Sequence, residues 1–379
     1  MTAICACRAS ITRLLGGSEF KEHDVDARPR RRTQKIFNAA LNEDFYTENK
    51  EIPLSSSLYE AENINFIIAD GLGSKNIEET DSFFNKYNAG SVNSTFPSST
   101  NVALSTVNLV DQPINTGMLG YFQFDKNKYG LINALNWSQE NEKMLEDNFF
   151  KKNKTIWTVL KEKNIFANNV QPKDLENSAL SKYIYKDSHQ INYKDEDDLI
   201  DLVKNSSLLE NRFNFIYYPK IDIAAHLFGV GSNEWQKELE IFEGVIETIN
   251  ESNVRKTYTI ISADHGLLNV DNESRYYLEY PDTVEIFGDQ RAVYANGTEE
   301  EIKKVFEKVP GEFLPNDQLQ LFLGQSEGEY MERLVPDFCF LVDKGNIIFP
   351  KHLKADLVGY HGGLTEEEMK IPLIEFSNF

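Results

Sequence analysis

The sequence predicts an α/β fold with a central, mostly parallel sheet flanked by helices. Three observations carry this. Two apolar runs, NINFIIADGLG and TYTIISADHG, each end on an acid followed by a glycine break, which reads as a buried strand whose last turn presents Asp70 or Asp264. Segments of helical period lie between strand-like runs. Strand and helix alternate along the chain, the pattern of a parallel sheet covered on both faces.

The elements follow in chain order. Residues 1–34 differ from the rest: they hold six of the eleven arginines, and residues 1–18 contain no acid. They read as a disordered leader, a targeting peptide or an appended sequence, and are set apart from residues 35–379. After the Asp70 strand, Pro97 in VNSTFPSSTNVALSTVNL biases the preceding backbone toward an extended form. A helix then starts with Ser98 or Ser99 as N-cap and Thr100 in its first turn. YGLINALNW reads as a strand, SQENEKMLEDNFF and KTIWTVLKEKN as helices, and IFANNVQP as a strand. DEDDLIDLVKNSSLLE is an exposed amphipathic helix before strand NFIYYP. In WQKELEIFEGVIETINES, Leu239, Phe242, Val245, Ile246 and Ile249 recur at helical spacing and form a packing face. Further on, QRAVYANG reads as a strand and TEEEIKKVFEKV as a helix with Thr298 as N-cap and Glu301 three residues later. MERLVPDFCFLVDKGNIIF returns through a strand pair.

Six residues at the predicted strand ends and turns could ligate metal: Asp70, Asp222, His226, Asp264, His265 and His361. Asp222 and His226 are four apart, so on a helix they share a face and can share an ion. His361 lies beside Gly362-Gly363, where backbone can come close. Each has a plainer reading: Asp70 as the cap of the next helix, His361 as a loop histidine. Taken together, three of the chain's six histidines fall in such settings, while His23, His189 and His352 read as surface residues. A hydroxyl at the start of the Ser98–Thr100 helix would face the positive end of a helix dipole, which favours an oxyanion or a bound phosphate. A Ser/Thr capping loop explains the same letters.

The order DGLG, FPSST, TGMLGY, DxxxH, ADHG and HGGLTxEEM resembles the alkaline phosphatase superfamily, and within it the type I phosphodiesterase and nucleotide pyrophosphatase branch, from about Asn63 to about Ile374. The resemblance implies an alkaline-phosphatase-like sandwich with a small inserted α+β lid at about 275–345. It implies one metal held by Asp70, Asp264, His265 and the nucleophile, and a second held by Asp222, His226 and His361. It points to Thr100 as nucleophile, with Thr95 second and Ser99 third. Tyr121 stands where many relatives have an asparagine that donates to a phosphoryl oxygen, and Arg291 falls in a G-x-x-R segment from which its fork could reach the phosphate. Leu109-Val110 and Thr116 depart from the family letters at positions that bind no metal.

The expected chemistry is two-metal hydrolysis of phosphodiester or phosphoanhydride bonds through a phospho-threonine. Mixed Asp and His ligands suit Zn²⁺ first, with Mn²⁺ the alternative. A phosphomonoesterase or C–P bond hydrolase would use the same site, and a non-catalytic protein stapled by metal is the remaining class. A net charge of −21 excludes bulk nucleic acid as a partner and leaves a small phosphorylated substrate, nucleotides included. No apolar run approaches the roughly 20 residues of a membrane span. Three cysteines, two of them at positions 5 and 7, make no disulfide framework and favour a cytoplasmic protein. Oligomeric state is not addressed by the sequence.

Overall fold

The structure is a computed structural model that describes residues 56–145, 155–162, 164–324, 329–353 and 357–379. The leader expected at residues 1–34 lies outside the described residues. Two sheets organise the rest. The larger has seven strands in the order Asn88–Asn93, Lys370–Ser377, Thr257–Ser262, Asn63–Ala69, Arg212–Tyr218, Phe166–Pro172 and His189–Tyr193. Thr257–Ser262, Asn63–Ala69, Arg212–Tyr218, Phe166–Pro172 and His189–Tyr193 pair in parallel, and Lys370–Ser377 runs antiparallel to both neighbours. The two central strands flanking Asn63–Ala69 are buried along almost their whole length, as expected where helices cover both faces.

Helix Asn233–Ser252 covers one face with the predicted stripe of Leu239, Phe242, Val245, Ile246 and Ile249, all buried. Phe242 packs with its ring tilted against Tyr218 at 4.7 Å and Phe84 at 5.5 Å between centroids. Burial of each such side chain contributes about 1.5–3 kcal/mol. The other face is covered by helices Thr100–Leu109, Ile156–Glu162 and Ala179–Ile184. Trp157 packs on Phe213 and Phe215, and its indole N–H donates to Asn108 at 3.0 Å.

The second sheet is antiparallel, with six strands in the order Gly311–Leu314, Phe338–Val342, Ala292–Asn296, Glu285–Gly288, Phe122–Asp125 and Gly130–Asn133. Four of these strands come from the segment expected as an insertion. The hairpin at 122–133 comes from far earlier in the chain and joins them through one pairing, Gly288 with Phe122. The strand pair expected in MERLVPDFCFLVDKGNIIF does not form. Phe338–Val342 enters this sheet, whereas Ile347–Phe349 pairs with Arg275–Tyr277. Thr298 caps helix Glu299–Phe306 as predicted, accepting the Glu301 N–H at 3.4 Å. Among the described residues, no helix is long and apolar enough to cross a membrane.

Candidate active site

The topology brings three of the acids together. Strands Thr257–Ser262, Asn63–Ala69 and Arg212–Tyr218 are adjacent and parallel, so their carboxyl ends share one edge of the sheet. Asp70 and Asp264 follow two of these strands. Asp222 lies in helix Lys220–Phe228, which opens straight after the third. Asp70 is not a helix cap: the next helix, Ser74–Glu78, has Gly73 at its N-cap. Gly71 adopts φ +73°, and a Cβ there would come within 2.9 Å of Asp222 Cα, so the turn after Asp70 passes Asp222 too closely for any side chain.

Thr100 is the first residue of helix Thr100–Leu109, with Ser99 as N-cap. Its hydroxyl lies 3.1 Å from His265 Nε2. That nitrogen is 3.5 Å from Asp70 Oδ1 and 3.6 Å from Asp264 Oδ2. The His265 ring stacks on His361 at 3.6 Å between centroids, and His226 is 5.2 Å from His361. His226 Nε2 is 3.2 Å from Asp222 Oδ2. Asp70, Asp264 and His265 offer ligand atoms all within 4.8 Å of one another, as do Asp222, His265 and His361.

The donor atoms fit two divalent cations. Each acid has one oxygen tied down and one buried without a partner. Asp264 Oδ1 accepts the N–H groups of Gly71 and His265 at 3.1 and 3.0 Å, Asp70 Oδ2 accepts the Tyr217 hydroxyl, and Asp222 Oδ2 faces His226. Asp70 Oδ1, Asp264 Oδ2 and Asp222 Oδ1 have no hydrogen-bond partner. The histidines are oriented likewise. His226 Nδ1 donates to the Gly359 carbonyl and His361 Nδ1 to the Ser98 carbonyl, each at 2.7 Å. A carbonyl only accepts, so Nδ1 of each ring carries a proton and Nε2 is the nitrogen turned toward the acids, from which a bound cation would displace any proton. Buried acids with unshared oxygens beside such rings form a hard, mixed N/O set.

Electrostatics describe the same crowding. Burial, then the charges of Asp222 and Asp264, push Asp70 well above the usual carboxylate range. Burial opposes ionisation of Asp222, yet His226 and the other imidazoles hold it well below that range. Burial also favours neutral His226, but the Asp222 charge raises its affinity for a proton. Burial, with His265 and His226 beside it, holds His361 well below the ordinary histidine value.

The site opens into a cavity of about 540 Å³, lined by Thr100, Tyr121, Asp222, His226 and His361, with Leu104, Leu135, Ile184, Ile223 and Leu357 among its apolar walls. Tyr121 lines it, with its hydroxyl accepting from Asn133 Nδ2 at 3.3 Å. Thr95 is buried and donates to the Pro97 carbonyl at 3.1 Å, and Ser99 lies within 3.0 Å of Asn101 Oδ1. Arg291 corrects the sequence reading. It is fully buried and does not line the cavity; its fork grips Glu368 at 2.7 and 3.1 Å, and Nη1 donates to the carbonyls of Asn346 and, at 3.3 Å, Asp343. Its predicted role went to a structural pair because Glu368, buried as deeply, claims both arms. His352, read from sequence as a surface residue, is half-buried with its ring edge-on to Phe122 at 4.5 Å.

Two residues at the site escaped the sequence reading. Tyr217, in the YYPKID string, holds Asp70 through its hydroxyl. Asp289 lines the cavity, where burial pushes its carboxyl up to about 7 against the Ser99 hydroxyl and the Tyr121 N–H that favour its charge. An aromatic at a strand end beside a Pro-Lys turn was the only available signal for the first; nothing local marked the second.

A mostly parallel sheet with Asp and His side chains that could hold metal at its carboxyl edge, around a hydroxyl at a helix start, defines an alkaline-phosphatase-type α/β fold. The chain belongs to the family described as type I phosphodiesterase / nucleotide pyrophosphatase, which matches residues 66–363. No curated protein is similar enough in sequence to match it. Solved structures share the fold. Murine ectonucleotide pyrophosphatase / phosphodiesterase 5 is 14% identical, with a TM-score of 0.63 over 82% of this chain and 87% of its own, and an inactive variant of it was solved with AMP at the same similarity. Phosphonoacetate hydrolase from Sinorhizobium meliloti 1021, solved with phosphonoacetate, is 12% identical, with a TM-score of 0.59 over 82% of this chain and 89% of its own.

Proposed function

We propose that this protein hydrolyses phosphodiester or phosphoanhydride bonds of a small phosphorylated substrate, with Thr100 as nucleophile and two divalent ions, Zn²⁺ first and Mn²⁺ as the alternative. The observation that carries the reading is the ring of unpartnered ligand atoms on Asp70, Asp222 and Asp264 around His265, whose Nε2 lies 3.1 Å from the Thr100 hydroxyl. Asp70, Asp264 and His265 would hold one ion with Thr100, and Asp222, His226 and His361 the other. Bound there, the ions would lower the pKa of the attacking hydroxyl and neutralise charge on the leaving oxygen.

The chain's own residues do the rest. The first turn of helix Thr100–Leu109 places the Thr100 Oγ1 at its positive end, which favours negative charge on that oxygen and on the phosphoryl group it attacks. Thr100 would displace the leaving group and carry the phosphoryl group as a phospho-threonine until water releases it. Tyr121, on the cavity wall, would donate to a phosphoryl oxygen. Among the described residues the cavity is lined by no lysine or arginine, which favours a diester over a monoester, whose extra charge calls for such a cation. The residues 275–345 would shape this pocket as a lid, since Asp289 and Gln290 reach its wall.

The test is hydrolysis of a chromogenic diester and the matching monoester by Zn²⁺-loaded protein with and without chelator. Chelator-sensitive preference for the diester supports the reading, preference for the monoester moves it to a phosphatase, and inactivity on both refutes it. Thr100→Ala should lower the rate by about 10⁴–10⁶-fold, the scale of loss when a covalent nucleophile is deleted. Acid quenching during turnover should trap a phosphoryl group on Thr100.

A further inference from the structure

The wall beside Thr100 carries a carboxyl that the proposed reaction does not use. Asp289 lies in the turn between strands Glu285–Gly288 and Ala292–Asn296, is 5% exposed, and lines the same cavity as Thr100, Tyr121 and His361. Its N–H donates to the Ala292 carbonyl at 3.0 Å, which closes the turn. Its Oδ2 accepts the Tyr121 N–H at 3.1 Å, and the Ser99 hydroxyl also meets the carboxyl. Two residues on, Arg291 anchors the turn to Glu368.

The surrounding chain is shaped to admit this side chain. A Cβ on Gly120 would lie 3.1 Å from Asp289 Oδ2, and one on Gly362, at φ +111°, would lie 2.6 Å from Asp289 Cβ. The carboxyl is thus flanked by the neighbours in sequence of three functional positions: Ser99 before Thr100, Gly120 before Tyr121, and Gly362 after His361. This buried acid, with no basic side chain bonded to it among the described residues, stands on the wall of the cavity that would take the phosphoryl group.

Resting on the hydrolase reading above, we propose that Asp289 is a charge selector, whose carboxylate opposes the second negative charge of a phosphomonoester and so restricts the site to monoanionic diesters. Specificity of this kind comes from an unfavourable interaction with the wrong substrate. It leaves the preferred one almost untouched. Burial raises this carboxyl and a bound cation would lower it, so the comparison is made at alkaline pH, where it carries its charge in either case.

The experiment measures kcat/KM for a chromogenic diester and its monoester, with inhibition by inorganic phosphate, in the Zn²⁺-loaded wild type and Asp289→Asn. Asparagine keeps the size and an acceptor for Tyr121 N–H. The expected result is at least a tenfold rise in the monoester-to-diester ratio and tighter inhibition by phosphate, with diester turnover changed less than threefold. Asp289→Ser is measured alongside and should shift the ratio in the same direction if the Asn variant does not fold. A wild type active on the diester whose variants keep the ratio within twofold, or lose both activities equally, overturns the selector alone. A wild type inactive on both substrates overturns the hydrolase reading, and the selector with it.

Discussion

Arg291→Ala separates a structural arginine from a substrate-binding one. In the folded protein the guanidinium and the Glu368 carboxylate are both fully buried, joined by bonds of 2.7 and 3.1 Å. Glu368 also accepts the Gly363 N–H at 2.8 Å, the Thr365 N–H at 3.2 Å and the Thr365 hydroxyl at 2.8 Å. Alanine removes one partner and leaves a buried carboxylate uncompensated, which costs about 3–5 kcal/mol. The Asn346 and Asp343 carbonyls lose a donor as well, and their share lies within that range. Arg291→Met combined with Glu368→Leu should recover much of the loss, since a buried pair replaced by apolar groups of similar volume is often neutral. The assay is chemical denaturation of the three proteins, with diester hydrolysis measured on the folded fraction. A loss below about 1 kcal/mol, accompanied by a large fall in turnover, would refute the structural role and return Arg291 to the phosphate.

Four further outcomes are expected. Zn²⁺ at a hundred times its dissociation constant should stabilise the folded chain by about 2.7 kcal/mol, and a thermal midpoint that ignores both Zn²⁺ and chelator would count against the metal site. Tyr217→Phe removes the hydroxyl bonded to Asp70 and should weaken metal affinity by about 10–100-fold in calorimetric titration, with the fold unchanged. Gly362→Ala meets both the left-handed φ and Asp289, so it should destabilise by about 1–3 kcal/mol, read from the unfolding midpoint. Asp125 gives the pH test. Burial opposes its charge, but the Arg333 fork at 3.0 Å and the N–H groups of Tyr129 and Asn127 hold its carboxyl below the usual range. A depressed folded value means stability present above the unfolded value near 3.9 and lost as pH falls through the folded one. The stability gap between wild type and Asp125→Asn should therefore narrow in acid, and a constant gap would contradict it.

Much of the site was legible because its information is local. A β-branched run broken by Asp-Gly encodes a strand and its end within ten or so residues, and a helical stripe such as Leu239 to Ile249 encodes its own buried face. The helix start after Pro97, with Thr100 in its first turn, was legible from the residue types; the choice of Ser99 over Ser98 was not, and Ser99 caps by position only, since its hydroxyl donates to Asn101 Oδ1. Asp222 and His226 met through helix spacing alone. The helix expected in SQENEKMLEDNFF reached only Gln139–Glu142 with a 3-10 turn to Leu145, and its remainder lies outside the described residues.

The sequence by itself determined which residues could serve as ligands, because each sits at a strand end or turn that a few neighbours specify. Only the tertiary structure decided which strands lie side by side, and hence that Asp70, Asp222 and Asp264 share one edge. It alone supplied the carbonyls of Gly359 and Ser98 that orient two imidazoles from 133 and 263 residues away in the chain. It also turned Arg291 inward to Glu368, 77 residues on, and brought Asp289 to the wall beside Ser99. A guanidinium reads the same in sequence whether it faces a phosphate or a buried carboxylate; its partner is chosen by the packing of distant segments, which no local pattern carries.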